Sequence, residues 1–139
     1  MPNAIYQLWT QELYKGAANN LLNSADGATG VFIALVDTGV YTFSQAHQFY
    51  SSLTGVVGTD QEITAKTQAL GVFDGNDVVF PAVSGASAEA LVLYRKNAGA
   101  NTTWPLIAFI DTGVTGLPVT PNTGNINVVF NVSGIFKLG

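Results

Sequence analysis

The chain has 139 residues, 47% hydrophobic and only 10% charged, with a net charge of −4. Its five cations, of which only Arg95 and Lys96 are adjacent, exclude a surface built for nucleic acid, and the absence of cysteine excludes disulfides and thiolate chemistry. The longest strictly apolar run, Val31 to Val36, is far short of the ~20 residues of a spanning helix, so the reading is a soluble single domain over 1–139 that makes no membrane contact and is synthesised in a cytoplasm.

In chain order, residues 3–15 predict one amphipathic helix, with Asn3 as N-cap, Ile5, Leu8, Trp9, Glu12 and Leu13 on one stripe, and Gly16 as the stop. A polar stretch from Asn19 to Gly30 leads to Val31–Val36. Both faces of that run are apolar, which predicts a central strand covered on both sides. Asp37-Thr38-Gly39 turns it into Tyr41-Thr42-Phe43. Ser44 then caps a predicted helical turn through Ala46, Phe49, Tyr50 and Leu53, and Gly55 to Asp60 reads as a loop.

Glu62 to Gln68 alternates, which predicts a half-exposed strand with Ile63, Ala65 and Thr67 inward. Residues 71–73 and 78–80 read as a hairpin around Asp74-Gly75-Asn76-Asp77. Ala88–Lys96 and Trp104–Ile110 predict two further strands, separated by a polar loop. Gly113 to Gly124 has no period, Asn125 to Asn131 alternates with Ile126, Val128 and Phe130 inward, and Ile135–Leu138 closes the chain. About eight short strands between Gly and Pro turns predict an all-β antiparallel sandwich of jelly-roll type over 30–139, with one N-terminal α-helix.

Ile33-Ala34-Leu35-Val36-Asp37-Thr38-Gly39 is echoed by Ile107-Ala108-Phe109-Ile110-Asp111-Thr112-Gly113. An apolar run ending in Asp-Thr-Gly is how aspartic proteases place a carboxylate that shares a proton with its twin. It is also an ordinary strand end, where Asp accepts turn amides and Gly supplies a positive φ. The spacing is short for two lobes, and Val40 and Val114 stand where a small residue is usual. The sequence therefore predicts architecture, with Asp37 and Asp111 accepting local turn hydrogen bonds. His47 beside Ser44, Ser51 and Ser52 has no orienting carboxylate fixed by spacing, and Asp74 to Asp77 lacks the spacing of a calcium loop. No catalytic, metal or cofactor-binding residue is predicted.

A soluble domain carries about 25% charge. A surface left to Thr, Asn, Ser and Gly suggests one that other chains cover.

Segment by segment, the chain resembles a family of small virion proteins of tailed bacteriophages. The resemblance runs through Ile33 to Thr38, Tyr41-Thr42-Phe43-Ser44 with His47, Gly71 to Asp74, Asp77 to Phe80, Glu89 to Tyr94, Leu106 to Thr112 and Gly116 to Asn122. It implies a capsid cement or decoration protein, with the major capsid protein and its own copies, as a homotrimer, for partners. The implied location is the outer capsid surface of the virion. Interface anchors are then sought among aromatics outside clear strand interiors: Tyr6, Trp9, Tyr14, Tyr41, Tyr50 and Trp104. Alternatives are a tail or neck component, an aspartic protease using Asp37 and Asp111, and a carbohydrate-binding sandwich.

Overall fold

A strand apolar on both faces must be covered on both, and Gly30–Val36 lies inside the largest sheet. The computed structural model describes residues 3–24, 27 and 29–138, so Ala25, Asp26 and Ala28 of the polar stretch lie outside the described residues. Among those described, the strands are β1 (Ala4–Ile5), β2 (Gly30–Val36), β3 (Val56–Glu62), β4 (Thr67–Ala69), β5 (Val72–Asp74), β6 (Val78–Phe80), β7 (Ala90–Lys96), β8 (Leu106–Ile110), β9 (Ile126–Val128) and β10 (Phe136–Lys137). One α-helix, α1 (Gln7–Tyr14), precedes all but the first. The strands run β1-β8-β7-β2-β3 in a five-stranded sheet, β10-β5-β4 in a second, and β6-β9 in a third. All pairings are antiparallel. The fold is an all-β sandwich with one N-terminal helix, built from ten strands divided five, three and two.

Register shows how the central sheet is covered. Phe32, Ala34 and Val36 lie across from Tyr94, Val92 and Ala90, and Phe109 continues the row beyond Val92. The excursion between β2 and β3 covers this face: the Phe43 ring lies 5.5 Å from that of Phe109, and Tyr50 4.6 Å from Tyr94. Ile33, Leu35, Leu91 and Leu93 point the other way and are fully buried, which leaves that face to the two smaller sheets.

The departures from the predicted elements have local causes. Asn3 is not a helix cap: its side chain is taken by the end of β8, Ala4–Ile5 pairs with that strand, and the helix begins at Gln7. Gly16, at φ +72°, does stop it. Residues 56–60 of the predicted loop belong to a strand despite Gly58, because β2 offers a continuous edge and Gly58, at φ +74°, sits beside the bulge in that ladder. Ala65, at φ +52°, then ends the alternation early; Ile63 is buried, whereas Ala65 and Thr67 are exposed.

The predicted hairpin of 71–80 does not form. Asn76 N–H donates to Thr64 O, and Gly75 passes so near Ile63 that a Cβ there would lie 2.5 Å from Cγ2, which carries the chain from one sheet to another. β5 pairs with β4 and β10, and β6 with β9. Between Ser44 and Leu53 only Tyr50–Ser52 makes a 3-10 turn. Its backbone bonds outward instead: Leu106 N–H to Gln48 O and Tyr50 N–H to Trp104 O, both 2.8 Å, so sheet pairing outcompetes local helix.

Candidate interaction surfaces

β2 and β8 are each antiparallel to β7, so they run parallel to one another and both Asp-Thr-Gly ends emerge at the same edge of the sheet. At the first, Asp37 Oδ1 accepts Gly39 N–H at 2.8 Å, the local turn bond that the sequence predicts. Thr38 donates both its N–H and its Oγ1–H to Glu89 Oε1. Hydrogen bonds from Ser87 and Thr38 hold the Glu89 carboxyl below its usual range. The second end differs. Here Asn3 Oδ1 accepts the Asp111 and Thr112 amides at 2.8 and 3.0 Å, so these turn amides are capped from β1's side. With β7 between them, Asp37 and Asp111 stand about 10 Å apart along the backbone, two strand spacings.

Three of the predicted anchors, Tyr6, Tyr41 and Trp9, are core residues. Tyr6 and Tyr41 are 0% and 2% exposed, their hydroxyls hydrogen-bonded to each other at 2.8 Å, and Tyr41 continues to His47 Nδ1 at 2.8 Å. Their aromatic pattern reads as sticky, but each hydroxyl has found a partner inside. Burial pushes the Tyr6 hydroxyl pKa far up. Tyr41→Phe removes the shared link, and the expected loss is about 2 kcal/mol in urea denaturation, since buried hydrogen-bonding groups lose their partner. Trp9, 1% exposed, is also core: its Nε1–H donates to Asn20 O and its ring meets Phe136 edge-on at 6.0 Å.

Tyr50 and Trp104 belong to a third cluster. Asp60 Oδ2 accepts the Tyr50 hydroxyl at 2.8 Å and the Tyr94 hydroxyl at 2.6 Å. Trp104 stacks on Tyr94 at 5.9 Å and 10°, and Lys96 Nζ lies 5.0 Å from the Phe32 centroid and 5.1 Å from that of Trp104. Burial raises the Asp60 pKa against the opposing pull of the two tyrosines and Lys96.

The last surface is apolar. A groove of about 480 Å3 runs between α1, the segment after it, and the β10-β5-β4 sheet, lined by Trp9, Leu13, Leu22, Phe73, Phe136 and Leu138 among others. None of its lining residues is charged. At its rim Leu70 is 96% exposed, at the tip of the two-residue turn joining β4 to β5. Leu70 and Gly71 have φ of +52° and +81°. A turn with two positive φ values suits Asn-Gly, and a leucine there is both strained and fully wetted. Tyr14, on the last turn of α1, is 84% exposed.

No family model matches this chain, and no curated protein does.

Of the six predicted anchors, then, Tyr14 is a surface residue, Tyr50 and Trp104 are half-buried around Asp60, and Trp9 both fills the core and lines the groove. The sequence reading missed Leu70 and Asp60. Leu70-Gly71 between Ala69 and Val72 carried a usable signal, because Gly after an exposed-turn position marks a tight hairpin. For Asp60 there was none, since its partners come from residues 50 and 94. Asp74 accepts the adjacent Gly75 N–H, and Asp77 accepts the N–H of the distant Phe130. Among the described residues no three His, Asp or Glu side chains converge as metal ligands.

Proposed function

We propose that this chain is a structural virion protein of a tailed phage: a capsid cement protein, homotrimeric on the outer surface of the head, that bridges major capsid protein subunits. The observation that carries the reading is the uncharged groove with Leu70 standing exposed at its rim. An apolar side chain at a strained, wetted turn costs the isolated fold stability and gains it back only when covered. Each Val, Leu, Ile or Phe so covered is worth about 1.5–3 kcal/mol. With few charges to desolvate, such a surface suits a clamp that repeats the same contact many times over a shell loaded from within. The segment-by-segment resemblance to small phage virion proteins supplies the shell.

Copies per virion decide it. Hundreds, comparable to the major capsid protein, are expected; a few dozen would move the chain to the tail or neck. Leu70→Asp is expected to weaken binding to undecorated capsids by at least about ten-fold, one contact's worth of apolar burial, while leaving the circular dichroism spectrum unchanged. A pepstatin-sensitive peptidase activity lost in Asp37→Asn with Asp111→Asn would overturn the structural reading in favour of the protease.

A further inference from the structure

The pocket over β2, β3 and β7 has the construction of an aromatic box. It is an open depression of about 370 Å3 between the half-buried rings of Phe32 and Trp104. Neither ring is loose. Trp104 is backed by Tyr94 and met edge-on by Tyr50 at 5.4 Å, and its Nε1–H is fixed on Gly99 O at 3.0 Å. Phe32 stacks on Tyr94 at 6.0 Å. Between them sits a cation, the ammonium of Lys96, about equally far from both centroids.

Asp60 supplies negative charge that Lys96 feels, and both tyrosyl hydroxyls are already on its Oδ2. The box therefore offers ring faces and field, with Asp60 Oδ1 as an acceptor beside them but no set of acceptors to match three N–H donors. A primary ammonium, which must shed water from three N–H donors, uses such a site poorly. A quaternary ammonium has no donors to satisfy and gains most from ring faces.

We propose that this pocket is a binding site for a small quaternary ammonium ion, with the Lys96 side chain as its resident, displaceable occupant. Lys96 is tethered by a flexible four-carbon stem and is held by a solvent-accessible cation–π contact, which is weak. As a tethered competitor it lowers the apparent affinity of anything entering, and its removal raises it. The site is separate from the apolar groove, so it stands or falls independently of the capsid reading.

Choline chloride, with sodium chloride matched throughout, is the probe, and 3,3-dimethyl-1-butanol is its neutral isostere. The chain's two tryptophans give the readout: the Trp104 indole N–H resonance reports the box, and Trp9, buried and bonded to Asn20 O, is the internal reference. Choline is expected to move the Trp104 signal and not that of Trp9, and to bind Lys96→Ala at least about three-fold tighter than the parent. Lys96→Gln, which keeps a long stem without charge, is expected to fall between the two. The isostere is expected to bind about ten-fold more weakly than choline, and Asp60→Asn to weaken choline several-fold. The proposal is overturned if neither parent nor Lys96→Ala responds up to the order of 100 mM choline. Equal response to the isostere, or no gain on removing Lys96, overturns it as well.

Discussion

Asp60→Ala is expected to lower the stability of the fold by about 3 kcal/mol, and Asp60→Asn to stay within about 1 kcal/mol of the parent. Among the described residues the carboxylate is the acceptor for both the Tyr50 and the Tyr94 hydroxyl, and Tyr94 is only 1% exposed. Leaving a buried hydroxyl without an acceptor costs about 1–3 kcal/mol. Tyr50 is half-buried and recovers part of its share from water. Asparagine keeps an oxygen in the same place, so both hydroxyls remain bonded. It also removes a charge that burial opposes.

That last effect has a sign. Burial raises the folded pKa of Asp60 above its ordinary 3.8. The group therefore contributes most to stability below that value, and the contribution is lost as pH rises through the folded pKa. Asparagine does not titrate, so the parent should lose ground to Asp60→Asn as pH increases from about 3.8 upward. Urea denaturation at a series of pH values reads both results. If Asn cost as much as Ala, acceptance of the two hydroxyls would not be what matters; if the gap between parent and Asn were flat with pH, burial would not be the dominant influence on the carboxylate.

Gly116→Ala is expected to be more damaging than Gly113→Ala, although both glycines have positive φ. Gly113, at +78°, has open space where a Cβ would go. Its substitution should cost only the backbone strain, about 1–2 kcal/mol. Gly116, at +108°, would place a Cβ 2.2 Å from the backbone oxygen of Asn127. Backbone in a ladder cannot swing aside as a side-chain tip can. Relief requires breaking the neighbouring Thr115–Val129 bridge, whose two hydrogen bonds are 2.9 and 3.1 Å and tie the irregular 113–124 segment to the end of β9. The expected loss is about 3 kcal/mol or more, measured as the shift in denaturation midpoint, with Gly113→Ala as the matched control. Equal losses for the two would mean that strain, and not the collision, governs.

What the sequence disclosed follows from which forces are local. The two-sided apolar runs of β2 and β8 announced central strands because burial on both faces leaves no polar position. Ile126, Val128 and Phe130 announced an inward face because a period of two has no other use in so short a segment. Tyr6 and Tyr41 misled for a long-range reason: their hydroxyls satisfy each other across 35 residues, and nothing local distinguishes a tyrosine that will be bonded inside from one that will anchor a partner. Asn3 misled similarly. It is a good cap, and it is used as one, but for the amides at the end of β8. The box around Asp60 was invisible because the 3-10 turn at Tyr50–Ser52, β3 and β7 each supply one wall or one hydrogen bond.

The order of strands in the central sheet also bears on how the chain acquires its shape. β2 pairs with β7, and β1 with β8, so these two ladders join the first half of the chain to the second. Closing such distant contacts spends chain entropy before burial repays it, which places folding on the slow, millisecond-to-second side for a domain of this size. Until β7 arrives, β2 has only β3 beside it, and the fully apolar Val31 to Val36 stands open along one edge. During synthesis that edge is the part of the molecule most exposed to wrong partners. The ladder that makes the finished sheet secure is the one the growing chain must wait for.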